Sequence, residues 1–187
     1  MKTRILIFVL TLFCLRAHGK QSDFITYDSL VKSDYSDHVQ SFNQLMGRVK
    51  IHSLLEFGLG HGTKFFLDHA DTVTSVELLL PHQTEEWYNK YLQLYQDYDN
   101  WEPLLYRGSS ALQKADAISG GELKDPSLTD GTYLLELKKL CNDLFSKKSY
   151  EVAFIDPGIH IRGDLVNELF DRVDIIVAHN TNSVVDA

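Results

Sequence analysis

The stretch EFGLGHGTKFF, residues 56–66, sets three glycines two apart ahead of an apolar run. Glycine at that density costs conformational entropy on folding, so the chain needs its backbone bare there. The residues leading into it, IHSLLEFG at 51–58, are short and apolar, which predicts a strand ending at the glycines. A helix is expected to begin near Thr63. Strand, glycine turn and helix together build a helix N-terminus that can face an anion or another polar ligand. Spacing narrows the ligand. A dinucleotide fingerprint requires a third glycine where Thr63 stands, and a P-loop requires a Gly-Lys-Ser/Thr triplet that the stretch lacks. Glu56, two residues before the first glycine, is foreign to both.

Outward from this loop, strand-like and helix-like segments alternate. Val39, Phe42, Leu45, Met46 and Val49 give residues 36–49 a helical 3/4 spacing, and TVTSVEL at 72–78 is a β-branched strand. Residues 85–98 form a helix with Trp87, Tyr91, Leu94, Tyr95 and Tyr98 along one side, a stripe expected to be core. EPLLYRG at 102–108 is a third strand, and the Gly, Pro, Asp and Ser content of 119–131 marks a loop. Asp130 can cap a helix whose apolar face is Leu134, Leu137, Cys141, Leu144 and Phe145. YEVAFIDPG at 150–158 is apolar almost throughout, as a central parallel strand is. A helix bearing Leu165, Val166, Leu169, Phe170 and Val173 leads into a last strand at 173–180. This order predicts an α/β, Rossmann-like parallel sheet of five strands flanked by helices, with ligands bound at the carboxyl ends of the strands. The unusual residues fall at those ends: Gly58, Gly60, Gly62, Glu77, Ser109, Ser110, Asp156, His179 and Asn180.

The chain has 187 residues, enough for one substantial core. Lys2 and Arg4, an eleven-residue and largely apolar run at 5–15, and small residues at Ala17 and Gly19 have the order of a secretory signal peptide. As a helix that run spans about 16 Å, short of the roughly 30 Å of a bilayer core. The expected division is therefore a signal at 1–19, an N-terminal helical segment at 20–50 and a Rossmann-like domain at 51–187. The mature chain would be secreted or periplasmic, without a stable membrane span; the alternative is an anchor formed by an uncleaved N-terminus. Removing 1–19 takes away three basic residues and no acidic one, moving the net charge from −8 to −11. So acidic a chain repels phosphate backbones, which argues against a nucleic-acid partner. Cys141 would be the one cysteine left, read as a small core residue.

At this point the motifs resemble those of the class I S-adenosylmethionine-dependent methyltransferases. EFGLGHG is similar to their first motif, an acidic residue before G-x-G-x-G, and Glu77 stands where that family holds the ribose hydroxyls. RGSSA at 107–111 resembles the segment flanking the adenine, with Ser109 where an aspartate is common. The resemblance implies that Glu56 lies near the amino-acid end of S-adenosylmethionine, that the backbone at Gly58, Gly60 and Gly62 passes against it, and that Ser109 and Ser110 flank its base. FIDPGIHIRGDLV and IIVAHNT look like the fourth and fifth strand ends of small-molecule O-methyltransferase-like members. That implies methyl transfer to an oxygen of a small-molecule acceptor, with Asp156 and His179 acting catalytically. In cation-dependent members such strand tips hold a divalent metal, for which Asp156 and Asn180 are the candidates here, Asn180 replacing a carboxylate. Family members continue beyond the fifth strand into a helix and an antiparallel hairpin. Their absence from this sequence would leave an edge that a homodimer could cover.

Other readings remain open. Asp156, His160 and His179 could form a two-histidine, one-carboxylate site for a transition metal. Asp156-Pro157-Gly158-Ile159 departs from the D/N-P-P-Y/F motif of enzymes that methylate planar amines. A non-catalytic cofactor-binding or interaction domain that keeps the fold is the main alternative. A nucleotide-dependent oxidoreductase is a weaker one, opposed by Glu56 and Thr63.

Overall fold

The computed structural model describes residues 25–32, 38–121 and 130–179. The expectations for 1–19 and for Asn180 lie outside these residues. Two short helices, α1 (Tyr27–Val31) and α2 (His38–Met46), precede the sheet. There follow β1 (Ser53–Phe57), α3 (Thr63–His69), β2 (Thr72–Leu79), α4 (Glu86–Leu94), β3 (Trp101–Arg107) and α5 (Ser110–Ser119). The chain continues through α6 (Thr132–Phe145), β4 (Val152–Ile155), α7 (Arg162–Leu169) and β5 (Ile175–Ala178). All strand pairs are parallel, in the order β3-β2-β1-β4-β5.

Alternation along each strand assigns its side chains to two cores. Leu54, Val73, Val152 and Phe154 face one side, where Leu30, Val39, Phe42, Phe65, Phe66, Tyr91 and Tyr95 from α1 to α4 and the adjoining turn cover them. Leu55, Phe57, Val76, Ala153 and Ile155 face the other, under Leu112, Leu137, Cys141, Leu144 and Leu165 from α5 to α7. Burial on both faces explains why these strands read as continuous apolar runs rather than alternating ones. Cys141 is buried, and burial raises its thiol to about 11, so it is an inert core residue. No helix among the described residues is long and apolar enough to cross a membrane.

Helix α5 carries little sequence signal: its apolar content is modest, and its start is fixed by the Ser109 hydroxyl, which accepts from the Ala111 and Leu112 N–H groups. Three sequence expectations need correction. Phe170 lies beyond the end of α7 and is 72% exposed rather than packed. Leu134, assigned to the apolar face of α6, is also exposed; Tyr133, one position earlier, packs against the core instead. Trp87, expected in the core, is half exposed at the end of α4 nearest the glycine loop.

Candidate functional site

Strand order reverses between β1 and β4, the place where an open parallel sheet splits to leave a crevice at its carboxyl end. A cavity of about 1060 Å³ opens there. The glycine loop, Glu56, Glu77, Trp87, Asp156 and His179 all line it, together with His38 and Arg162.

Gly58 has φ +99°, and a Cβ added to it would sit 2.0 Å from the Asp156 carbonyl oxygen. The loop can leave β1 only with glycine there, because the next strand's backbone occupies the space. Past Gly58 the loop is held on several sides. The Leu59 N–H donates to Glu77 Oε2 at 2.9 Å, and the Leu59 carbonyl accepts from the Trp87 indole. Tyr95 donates its hydroxyl to the Gly60 carbonyl at 3.0 Å, and the Gly60 N–H donates to Thr63 Oγ1 at 3.0 Å. Thr63 is thus the residue that turns loop into helix, a role a third glycine could not perform.

Glu56 sits under this loop at 1% exposure. Thr63 donates its hydroxyl to the carboxyl group at 2.9 Å and Ser75 donates at 2.5 Å, while Ser75 accepts from the Trp101 indole at 3.0 Å. These bonds favour the charged form, but desolvation outweighs them and pushes Glu56 up to about 8. Glu77 is pushed up to about 7, again by desolvation, partly offset by the Leu59 N–H. Two carboxyl groups that hold protons near neutrality therefore face one cavity. Such paired perturbation is characteristic of functional sites.

This has a stability consequence. In the unfolded chain Glu56 titrates near its ordinary 4.5, so between about 4.5 and 8 the folded chain binds the extra proton. Its contribution is fully present below 4.5 and is lost as pH rises through 8, on the order of 5 kcal/mol in all. Urea unfolding at pH 5, 6.5 and 8 is expected to show falling stability. Glu56→Gln should remove most of that slope, leaving the smaller part contributed by Glu77. A slope unchanged in Glu56→Gln would contradict the assignment.

At the end of β4, Asp156 accepts from Arg162 at Oδ1, 3.1 Å away, and pairs through Oδ2 with His179 Nδ1 at 2.9 Å. His160, grouped with these residues from sequence, is elsewhere: its backbone N–H and its ring Nδ1 both meet Asp116 Oδ1. The turn after β4 directs it toward α5, so no Asp156–His160–His179 site exists. His38 takes that place instead, its ring centroid 5.1 Å from that of His179 and 4.4 Å from that of Phe154. His38 and Arg162 are the residues the sequence reading missed. Arg162 lay in the quoted stretch after β4, but nothing in the local pattern around His38 connects it to strand ends more than a hundred residues away.

Ser109 and Ser110 do not line the cavity. The Ser109 hydroxyl caps α5 and donates to Glu136, which also accepts from the Ser109 N–H.

No protein-family profile matches the chain, and no curated protein does. Among solved structures, an rRNA methylase from Streptococcus thermophilus aligns at 15% identity over 80% of this chain and 74% of that one, with a TM-score of 0.46.

Proposed function

We propose that the cavity binds S-adenosylmethionine and that the chain transfers its methyl group to an oxygen of a small molecule. The observation that carries this reading is the convergence of Glu77 and the glycine loop on one crevice at the strand-order switch. A carboxylate accepts from two vicinal hydroxyls at once, which suits the ribose of the cofactor. Glu56, under the loop, holds a proton in the unliganded chain and would give it up on binding, supplying negative potential toward the cationic end of the cofactor. The cofactor supplies the electrophilic methyl group.

Methyl transfer is an in-line displacement, so placing the acceptor does most of the work. Asp156 and His179, at the ends of β4 and β5, line the same cavity as Glu77 on β2 and are joined by their hydrogen bond. In this reading His179 takes the acceptor's proton while Asp156 holds the ring's orientation and Arg162 holds Asp156. The acidic chain opposes a polyanionic acceptor. Residues 1–19 would direct export, so the mature protein would meet its cofactor outside the compartment of translation.

Turnover with methyl-labelled cofactor over a panel of phenols, catechols, carboxylates and RNA tests the acceptor class. Label in a small oxygen acceptor, reduced at least about 100-fold in His179→Ala, is the expected result. Label in RNA alone would replace the acceptor, and cofactor binding with no turnover on any member would favour a non-catalytic domain.

A further inference from the structure

We infer that His38, Asp156 and His179 form a binding site for a divalent transition-metal ion of the zinc(II) or iron(II) kind, opening onto the cavity. Each offers one donor atom, and these atoms all lie within 4.8 Å of one another. Among the described residues this is the one group of three histidine, cysteine, aspartate or glutamate side chains that converges so closely. Metal–ligand bonds of about 2.0–2.2 Å put neighbouring donors roughly 3–3.5 Å apart, so a side-chain shift of about 1 Å closes the set around an ion. Two imidazoles with one carboxylate select a transition metal over magnesium or calcium, which prefer all-oxygen sets. This donor set is distinct from the Asp156–Asn180 oxygen pair considered from sequence.

Three further features suit such a site. The donors come from separate elements, α2, the end of β4 and the end of β5, and each is braced. His38 lies against Phe154 and beside Gly62, where an added Cβ would come within 2.3 Å of its Nε2. The glycine loop therefore seats this imidazole as well as shaping the crevice. Arg162 occupies Asp156 Oδ1, the kind of outer hydrogen bond that orients a ligating carboxylate. An ion at Oδ2 would replace the hydrogen bond to His179, so His179 serves as the acceptor's base only in the ion-free chain. Finally, three protein donors leave coordination positions that face the cavity, where an oxygen of a small ligand or a water could bind.

The test is titration of chelator-stripped protein with zinc(II) and cobalt(II), without S-adenosylmethionine, read by competition with a chromophoric chelator and by the visible absorption of cobalt. One ion per chain is expected. His38→Gln and His179→Gln should each weaken it at least about tenfold, while His160→Ala, which breaks the separate Asp116 pair, leaves it unchanged. Circular dichroism verifies that each variant is folded. The wild-type cobalt form gives a readout that needs no variant: paramagnetically shifted proton signals from two imidazoles. Failure to bind one equivalent, binding indifferent to His38→Gln, or shifted signals from fewer than two imidazoles would overturn the site. Glu77→Ala separates this inference from the cofactor reading, because it removes the proposed ribose contact and none of the metal donors.

Discussion

Replacing Glu77 with alanine is expected to weaken S-adenosylmethionine binding roughly 100-fold, about 2.7 kcal/mol, with the chain still folded. Two charge-assisted hydrogen bonds to the ribose hydroxyls would be lost, each in the range of about 1.5–3 kcal/mol gross of what replaces it. Part of the loss would come through the loop, since Glu77 also accepts from the Leu59 N–H. Glu77→Gln keeps one acceptor for that N–H but no charge, so it should fall between wild type and alanine. Calorimetry on the three proteins gives the order directly; equal affinities would remove Glu77 from the site. The sign of the pH dependence follows from its raised pKa. Unliganded Glu77 is protonated below about 7, and hydroxyl donors favour the ionised carboxylate. Affinity should therefore rise from pH 5.5 to 8, and Glu77→Gln should lose the part of this dependence that Glu77 contributes while keeping the part due to Glu56.

Gly58→Ala is expected to be the most damaging single methyl group in the glycine loop, costing about 3 kcal/mol or more in chemical unfolding. It would require an L-residue at φ +99° and would press its Cβ to within 2.0 Å of the Asp156 carbonyl and 3.1 Å of the Pro157 nitrogen. Both are backbone atoms, at the point where Asp156 N–H donates to the Phe57 carbonyl at 2.8 Å, so relief means parting β1 from β4. Gly60→Ala is the matched control. Its Cβ would meet only the Trp87 ring, at 3.9 Å, an ordinary contact, and stability should change by less than about 1 kcal/mol. If the two variants unfolded alike, the close approach of the strand ends would not be what fixes glycine at position 58.

The strands were legible because both faces of the sheet are buried, and 51–57, 72–79 and 152–155 consequently read as apolar or β-branched runs. The placement of the glycine loop, Glu77 and Asp156 at strand ends followed from that order alone. Local pattern gave less where function depends on tertiary proximity. Trp87 belongs by spacing to the same helical stripe as Tyr91 and Tyr95, yet it lies over the loop and binds the Leu59 carbonyl, while the two tyrosines are buried. His38 opens a helix far upstream, and only packing of that helix against Phe66 and Phe154 brings it to the strand ends. The turn after β4 sent His160 away and Arg162 inward, a difference of two positions that no periodicity encodes. That Glu56 lies under the loop while lining the cavity was also beyond the motif: the hydroxyls of Thr63 and Ser75 hold it there, and burial pushes its pKa up.

In the proposed reading, two proton-holding carboxyl groups and the glycine loop make a site for a cationic adenosyl cofactor. Titration calorimetry of S-adenosylmethionine into the folded chain at pH 7, repeated in two buffers of different ionisation enthalpy, tests it most directly. A sulfonium and ammonium ligand near Glu56 and Glu77 should draw both toward their charged forms, so binding should release protons and its apparent enthalpy should differ between buffers. One cofactor per chain with net proton release is expected, and no heat from NAD under the same conditions. Absence of S-adenosylmethionine binding, or binding with no proton release, would contradict that reading.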